Sequence, residues 1–379
     1  MKIAIISTYP PQKCGIATFA QDLHTAMQMA NHENIHVIAV SDGREENYPI
    51  EVSFIIDKHD QQSYIAAADY INNQYDVCVL QHEYGIFGGE SGAYILALCS
   101  RLHIPLISNL HTISPKPSDP ERSILFQLGQ WSHTVTVMTD WGVDILQCVY
   151  KLPANKIQVI PHGVPAFDYQ HDEAKRRLGL QGKKVLLSFG LLGRGKGYET
   201  AIDAVKEVRD DKFIYVILGM THPNVLKEEG EAYRHTLQER CRQENVENKV
   251  LFVNEFVNES LLCTYLTACD MYVTPYPNEN QISSGTLTFA LGAGAAVIST
   301  PYIYARDLLA ADRGLFFDFG DGRQLGHTIN MLMENPAALV AYRQNARTHG
   351  ETLRWSKIGK RYHRLLEIVL QHKPLFKRA

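Results

Sequence analysis

The 379-residue chain has no run of apolar residues approaching the roughly 18 that a membrane-spanning helix needs. It has little excess of charge: 37 basic against 41 acidic residues give a formal net charge of -4, so no basic surface marks nucleic acid as a partner. Cysteine is sparse and unpatterned. The seven cysteines (Cys14, Cys78, Cys99, Cys148, Cys241, Cys263 and Cys269) are odd in number, and none forms a CxxC pair. That argues against a disulfide framework or a zinc ribbon and predicts reduced core thiols in a cytosolic protein. The opening MKIAIISTYPP enters a strand at once, without the basic segment, apolar core and small-residue cleavage site of a signal peptide. The expected compartment is therefore the cytoplasm. Solenoid-period repeats and low-complexity tracts are lacking as well.

What is present is alternation. The length suits two domains of ordinary size, and the hydrophobic fraction of 45% and charged fraction of 21% are those of a globular protein. Short β-branched runs at 2–7, 35–40, 52–56, 76–81, 105–109, 134–138 and 157–160 alternate with helical periodicity at 16–30, 61–73, 90–102 and 140–149. Continuous apolar strands separated by helices predict a parallel sheet covered on both faces. The pattern then restarts, with strands at 184–189, 213–218, 249–253, 271–274, 296–300 and 315–317 and helices at 198–208, 226–242, 259–268 and 323–333. Between the series, Pro161, Gly163 and Pro165 interrupt any period, which predicts a linker over 162–180. A last amphipathic helix, 355–371, follows the completed second sheet and is free to cross back to the first domain. The expected fold class is α/β, with two Rossmann-like doubly wound domains: 1–165 together with 355–379, and 166–354.

In such sheets ligands bind beyond the carboxyl ends of the strands, so the residues after each strand carry the chemistry. The segment Gly190-Leu-Leu-Gly193-Arg194-Gly195-Lys196-Gly197 follows the strand VLLSF and precedes a helix. Glycines let the backbone approach a phosphate, the helix start offers free N–H groups, and Arg194 and Lys196 add charge suited to a diphosphate. A glycine-rich turn with two solvated cations is the plain alternative. The spacing from Gly190 to Lys196 also fits a P-loop, but Gly197 stands where that motif needs a Ser or Thr hydroxyl for magnesium. A second cradle, Gln281-Ile-Ser283-Ser284-Gly285-Thr286, opens the apolar helix LTFALG; simple N-capping by Ser283 or Ser284 is its alternative. Two cradles after strands of one domain suit a nucleotide diphosphate or a sugar phosphate.

In the first domain, Gly15 ends the loop after the first strand and permits close approach of a ligand; a plain β–α turn is its equal alternative. His82-Glu83 and His111-Thr112 follow two further strands, where an imidazole can hydrogen-bond sugar hydroxyls or exchange a proton. Each histidine alone is more often structural. Neither has a second ligand at metal-binding spacing, so no metal is expected. His162, in the turn VIPHGV, marks the junction of the domains.

These features in this order resemble the retaining glycosyltransferases of family 4, with the GT-B fold. The resemblance covers nearly the whole chain: the early glycine loop, His111-Thr112, VIPHGV, LLSFGLLGRGKG, and TPY…SSGTL…GAGAAVIST. It implies an acceptor domain, a donor domain and a donor bound in the cleft between them, with the terminal helix crossing back to the first domain. By the same resemblance Lys196 and Arg194 hold the donor diphosphate, Gly193 and Gly195 belong to that loop, and Ser283, Ser284, Gly285 and Thr286 cradle the distal phosphate. His111 lies near the transferred sugar, Gly15 faces phosphate and acceptor, and His82 and Glu83 fall on the acceptor side. One departure stands out. The family carries two glutamates eight positions apart, touching the sugar and the ribose; here those positions hold Gln281 and Phe289. Gln281 can still bond sugar hydroxyls, and Glu279 lies close enough to substitute, but Phe289 cannot accept from a ribose hydroxyl.

The expected reaction is transfer of a hexosyl group from a nucleoside diphosphate sugar to a carbohydrate or lipid-linked acceptor with anomeric configuration kept. It needs no metal or other cofactor, because Lys196, Arg194 and helix N-termini stabilise the leaving diphosphate. The rivals are a sugar phosphorylase or epimerase on the same scaffold, a non-catalytic carbohydrate- or nucleotide-binding protein, and a scaffold that has lost the chemistry. Contact with the inner face of a membrane stays open, since the tail carries Lys373, Lys377 and Arg378; so does the oligomeric state.

Overall fold

A computed structural model describes residues 1–31, 34–44 and 47–371; the tail residues Lys373, Lys377 and Arg378 lie outside the described residues. The chain forms two compact units, one of Met1–Gly163 together with the segment from Trp355, the other of Val164–Arg354.

The first unit runs β1 (Lys2–Ser7), α1 (Gly15–Asn31), β2 (Asn34–Ser41), β3 (Val52–Asp57), α2 (Gln61–Gln74), β4 (Val77–His82), α3 (Ile95–Cys99), β5 (Leu106–Leu110), α4 (Asp119–Trp131), β6 (Thr134–Val137), α5 (Asp140–Cys148) and β7 (Ile157–Val159). Its strands form one parallel sheet in the order β3-β2-β1-β4-β5-β6-β7. The chain winds outward through β1, β2 and β3, then returns to place β4 on the other side of β1. That reversal opens a crevice at the carboxyl ends of β1 and β4. Central strands covered on both faces must be apolar throughout, and Ile3–Ile6 and Val77–Leu80 are fully buried.

The second unit runs α6 (His171–Arg177), β8 (Lys184–Phe189), α7 (Tyr198–Val205), β9 (Phe213–Leu218), α8 (Pro223–Glu229), α9 (Ala232–Gln243), β10 (Val250–Val253), α10 (Glu259–Ala268), β11 (Met271–Thr274), α11 (Gly285–Gly292), β12 (Ala296–Ser299), α12 (Ile303–Leu308), β13 (Gly314–Phe316), α13 (Gly322–Glu334) and α14 (Pro336–Gly350). Its parallel sheet has the order β10-β9-β8-β11-β12-β13, with the reversal between β8 and β11. Leu186, Tyr215, Ile217, Val273 and Ile298 join side chains of α7, α9 and α13 in its core.

The final helix, α15 (Trp355–Gln371), belongs to the first unit and lies along α1. Ile358, Tyr362, Leu365, Leu366 and Val369 make its buried face, spaced three and four apart as an amphipathic helix requires. The approach is close: a Cβ on Gly359 would stand 2.3 Å from the Ala26 carbonyl oxygen.

Several elements differ from the sequence expectation, each for a local reason. The helix expected over 90–102 shrinks to α3. Gly89 and Gly92 take positive φ (79° and 81°), Ser91 does too (50°), and a Cβ on Gly88 would stand 1.9 Å from the Lys58 carbonyl, so the chain turns there before it can coil. The helix expected over 226–242 is two, separated at Gly230 (φ 61°). The stretch expected as linker, 162–180, contains α6, whose acidic first turn and basic last turn complement its dipole; Lys175 ties it to the sheet through Asp270 at 2.7 Å. Helices α4 and α14 fall where no helix was expected. Of the cysteines, Cys78, Cys99, Cys241 and Cys269 are buried thiols, but Cys14 and Cys263 are half-buried and Cys148 is exposed, which corrects the picture of seven core thiols. Among the described residues no helix is long and apolar enough to cross a membrane.

Candidate functional site

In the second unit the loops after β8 and β11 meet. Gly190 takes φ 130°, and a Cβ on Gly219 would stand 1.9 Å from the Gly190 carbonyl. Gly197 takes φ 68°, and a Cβ there would stand 2.0 Å from the Pro275 carbonyl. These glycines are required by the stacking of strand-end loops on one another. Gly193 and Gly195 are different: their Cβ positions meet nothing closer than 3.9 Å, and Gly195 is exposed. That leaves the backbone there open to a ligand.

Lys196 ends a single 3-10 turn (Arg194–Lys196) just before α7. Its Nζ lies 4.5 Å from the centre of the Tyr276 ring, a favourable cation–π placement. The Tyr276 hydroxyl in turn lies 2.9 Å from Thr286 Oγ1, which lies 3.2 Å from Ser284 Oγ. The structure therefore brings Lys196 and the Ser284-Gly285-Thr286 cradle together, with Tyr276 as the link. Ser284 is the N-cap of α11 and accepts from the Leu287 amide at 3.3 Å. The remaining first-turn amides of α11 give the site its positive end. His222 stands near; burial and then the charge of Lys196 hold its pKa below the usual histidine range.

Arg194 points elsewhere. It is exposed, pairs with Glu229 at 2.9 Å and lies over the Tyr233 ring. Gln281 Nε2 donates to the Ser283 carbonyl at 2.9 Å, and Glu279 pairs with Arg306 at 3.3 Å on the surface. Phe289 is buried, its ring 6.3 Å from that of Phe189.

In the first unit, His82 and His111 end the adjacent strands β4 and β5, and the His111 amide donates to the His82 carbonyl at 2.9 Å. His82 is completely buried, with Tyr84 edge-on and Phe87 stacked on its ring, and neither ring nitrogen has a hydrogen-bond partner. Burial lowers its pKa to about 3. His111 is lowered to about 3 as well, by burial first and then by His162 and His82; burial takes His162 to about 4. Phe19 of α1 stands edge-on to His111 (4.7 Å), His162 (4.9 Å) and Trp355 (5.2 Å). Glu83 receives the Thr112 hydroxyl at 2.5 Å; burial raises its pKa against that bond. Gly15 is the exposed first residue of α1, with open space around its Cβ position. The side chain of Cys14 caps this helix by accepting from the Ala17 amide at 3.3 Å. Among the described residues no three His, Cys, Asp or Glu side chains cluster as a metal site.

The sequence reading gave no role of their own to Tyr276, which lies in the motif TPY, or to Gln81 and Asn109. The last two carry a visible signal: each is a polar residue inside an otherwise apolar strand, in VCVLQH and LISNL.

The sequence matches the family described as Glycosyl transferases group 1 over residues 170–349 and that described as Glycosyltransferase Family 4 over residues 14–166. The chain belongs to glycosyltransferase family 4. Solved structures of similar fold include HepE of Anabaena, in complex with UDP and glucose, with a TM-score of 0.79 at 16% identity, covering 97% of this chain and 100% of that one. A sucrose-phosphate synthase of Thermosynechococcus elongatus has a TM-score of 0.78 at 17% identity over 98% and 100% of the two chains. A glycosyltransferase of Rickettsia africae follows at 0.72 and 14%, each chain covered in full. At such identities the likeness shows the fold, and it is the GT-B glycosyltransferase fold. No curated protein matches the sequence significantly.

Proposed function

We propose that this family 4 glycosyltransferase moves a hexosyl group from a nucleoside diphosphate sugar to a carbohydrate or lipid-linked acceptor, with anomeric configuration kept and no metal required. The observation that carries the reading is the convergence of Lys196, Tyr276 and the α11 N-terminus at the carboxyl edge of the second sheet. A cation and a helix end at one point suit two phosphates in succession. HepE, of similar fold, binds UDP and glucose, which makes UDP-glucose the first donor to try.

In the reaction the bond from the anomeric carbon to the diphosphate oxygen breaks, and a bond from that carbon to the acceptor oxygen forms on the same face. The acceptor's proton passes to the departing phosphate. Negative charge grows on the diphosphate, so its stabilisation dominates the barrier. Lys196 and the Ser284, Gly285 and Thr286 amides supply it. Arg194 would join them on exchanging Glu229 for the phosphate. Gln281 and Glu279 would serve the sugar, while Phe289 makes the ribose end apolar. His111 would lie at the transferred sugar, with Gly15, His82 and Glu83 on the acceptor side. The setting is the cytoplasm, at the inner membrane face if the acceptor is lipid-linked.

The test is Lys196→Ala with UDP-glucose. Losing one such group costs about 2–4 kcal/mol of transition-state stabilisation, so turnover should fall at least thirtyfold; near-normal turnover would remove Lys196 from the diphosphate site. The apolar Phe289 favours one second reading, a sugar phosphorylase, which release of sugar 1-phosphate dependent on inorganic phosphate would reveal.

A further inference from the structure

A row of buried polar side chains crosses the first unit from α15 to His111. The Tyr362 hydroxyl on α15 faces Thr136 in β6. Thr136 Oγ1 donates to Asn109 Oδ1 at 3.0 Å, Asn109 Nδ2 donates to Gln81 Oε1 at 2.7 Å, and His111 Nε2 lies 2.9 Å from that same oxygen. Sheet register makes the row possible, since Gln81 stands opposite Asn109 and Asn109 opposite Thr136. Gln81, Asn109 and Thr136 are wholly inaccessible. Polar groups so placed cost free energy unless matched to a partner, and a connected row polarises along its length; Gln81 Nε2 is left without one.

The row also has a direction. Because Asn109 Oδ1 can only accept, it takes the Thr136 hydrogen, and Thr136 Oγ1 is left to accept from the Tyr362 hydroxyl. That turns the Asn109 N–H toward Gln81 and leaves Gln81 Oε1 as an acceptor. A neutral imidazole carries one hydrogen; Nε2 meets the Gln81 acceptor at 2.9 Å and the Asn109 Nδ2 donor only at 3.4 Å, and the shorter contact puts the hydrogen on Nε2.

We propose that Tyr362, Thr136, Asn109 and Gln81 are positioning residues that hold His111 as the neutral Nε2–H tautomer in one orientation. An uncharged ring fixed in this way suits a hydroxyl-bearing sugar and not a phosphate. The proposal rests on the reading that His111 lies at the transferred sugar. The four residues act only through His111.

The experiment uses the full chain labelled with 15N-histidine, with long-range 1H–15N correlation at neutral pH and His111→Ala to assign the ring. The wild type should show His111 protonated on Nε2. Tyr362→Phe and Thr136→Val, which preserve shape, should each shift His111 toward a mixture of tautomers. They should also lower turnover of UDP-glucose about tenfold, by analogy with partners that orient histidine ligands, and leave the thermal shift given by UDP unchanged. A wild-type ring protonated on Nδ1 would overturn the proposal, as would an unaltered tautomer in both variants. The expected tautomers combined with normal turnover in His111→Ala would instead overturn the placing of His111 at the sugar, with the phosphate site untouched.

Discussion

Replacing His82 by Leu should make the first unit more resistant to acid, by an amount that follows from the burial of one ring. His82 is sealed between Tyr84 and Phe87 with no partner for either nitrogen, and burial holds its pKa near 3. In the unfolded chain the same ring titrates near its usual value of about 6.5. Below that value the unfolded state binds a proton that the folded state refuses, so acid favours unfolding; the cost begins near 6.5 and grows until the folded ring titrates near 3. At about pH 5 the unfolded state gains about 2 kcal/mol from that proton relative to pH 8. His111 and His162 add similar costs of their own. The readout is specific to this unit, because all three tryptophans, Trp131, Trp141 and Trp355, lie in it. Urea unfolding followed by tryptophan fluorescence at pH 8 and pH 5 should show the wild type losing about 2 kcal/mol more than His82→Leu across that interval. Leucine also removes two unsatisfied ring nitrogens, but that gain is the same at both pH values and cancels in the comparison. Equal losses in the two proteins would refute the reasoning, because they would mean that folded His82 takes up its proton as the unfolded chain does.

Gly359→Ala places a methyl 2.3 Å from the Ala26 carbonyl; the first unit should lose about 1–3 kcal/mol as α15 is pushed from α1, read in the same urea titration. Ser284→Ala removes the N-cap of α11 and should cost about 1 kcal/mol, visible by calorimetry as a lower transition for the second unit, with a smaller thermal shift from UDP. An unchanged transition in either variant would contradict the contact on which it rests.

The alternation of elements was legible because a strand covered on both faces admits almost nothing but apolar residues, as in Ile3–Ile6. The terminal helix was legible from its period alone. Its attachment to the first unit depends on Gly359, whose missing side chain no periodicity weighs. The turns at 88–92 misled because Ile95, Leu98 and Cys99 carry a helical period across a segment that glycines with positive φ had already bent. At the candidate site, the glycine loop and the SSGT segment announced themselves by composition. What composition could not give is that Tyr276 joins them, since that link depends on the packing of two loops 80 residues apart in sequence. The charge of Arg194 was equally plain, but not its engagement with Glu229. The polar row behind His111 was written in the strands as Gln81 and Asn109, and its meaning appears only when register sets them side by side.

The placement of α15 has a consequence for biosynthesis. The second unit is inserted into the first, so the ribosome releases the face of α1 that carries Phe19 and Ala26 long before the segment from Trp355 exists to cover it. The second unit alone puts about 190 residues between Gly163 and Trp355, which at roughly 5–20 residues per second adds on the order of ten to forty seconds. Throughout that time this face of α1 lacks its partner helix, and the domain begun first is the one finished last.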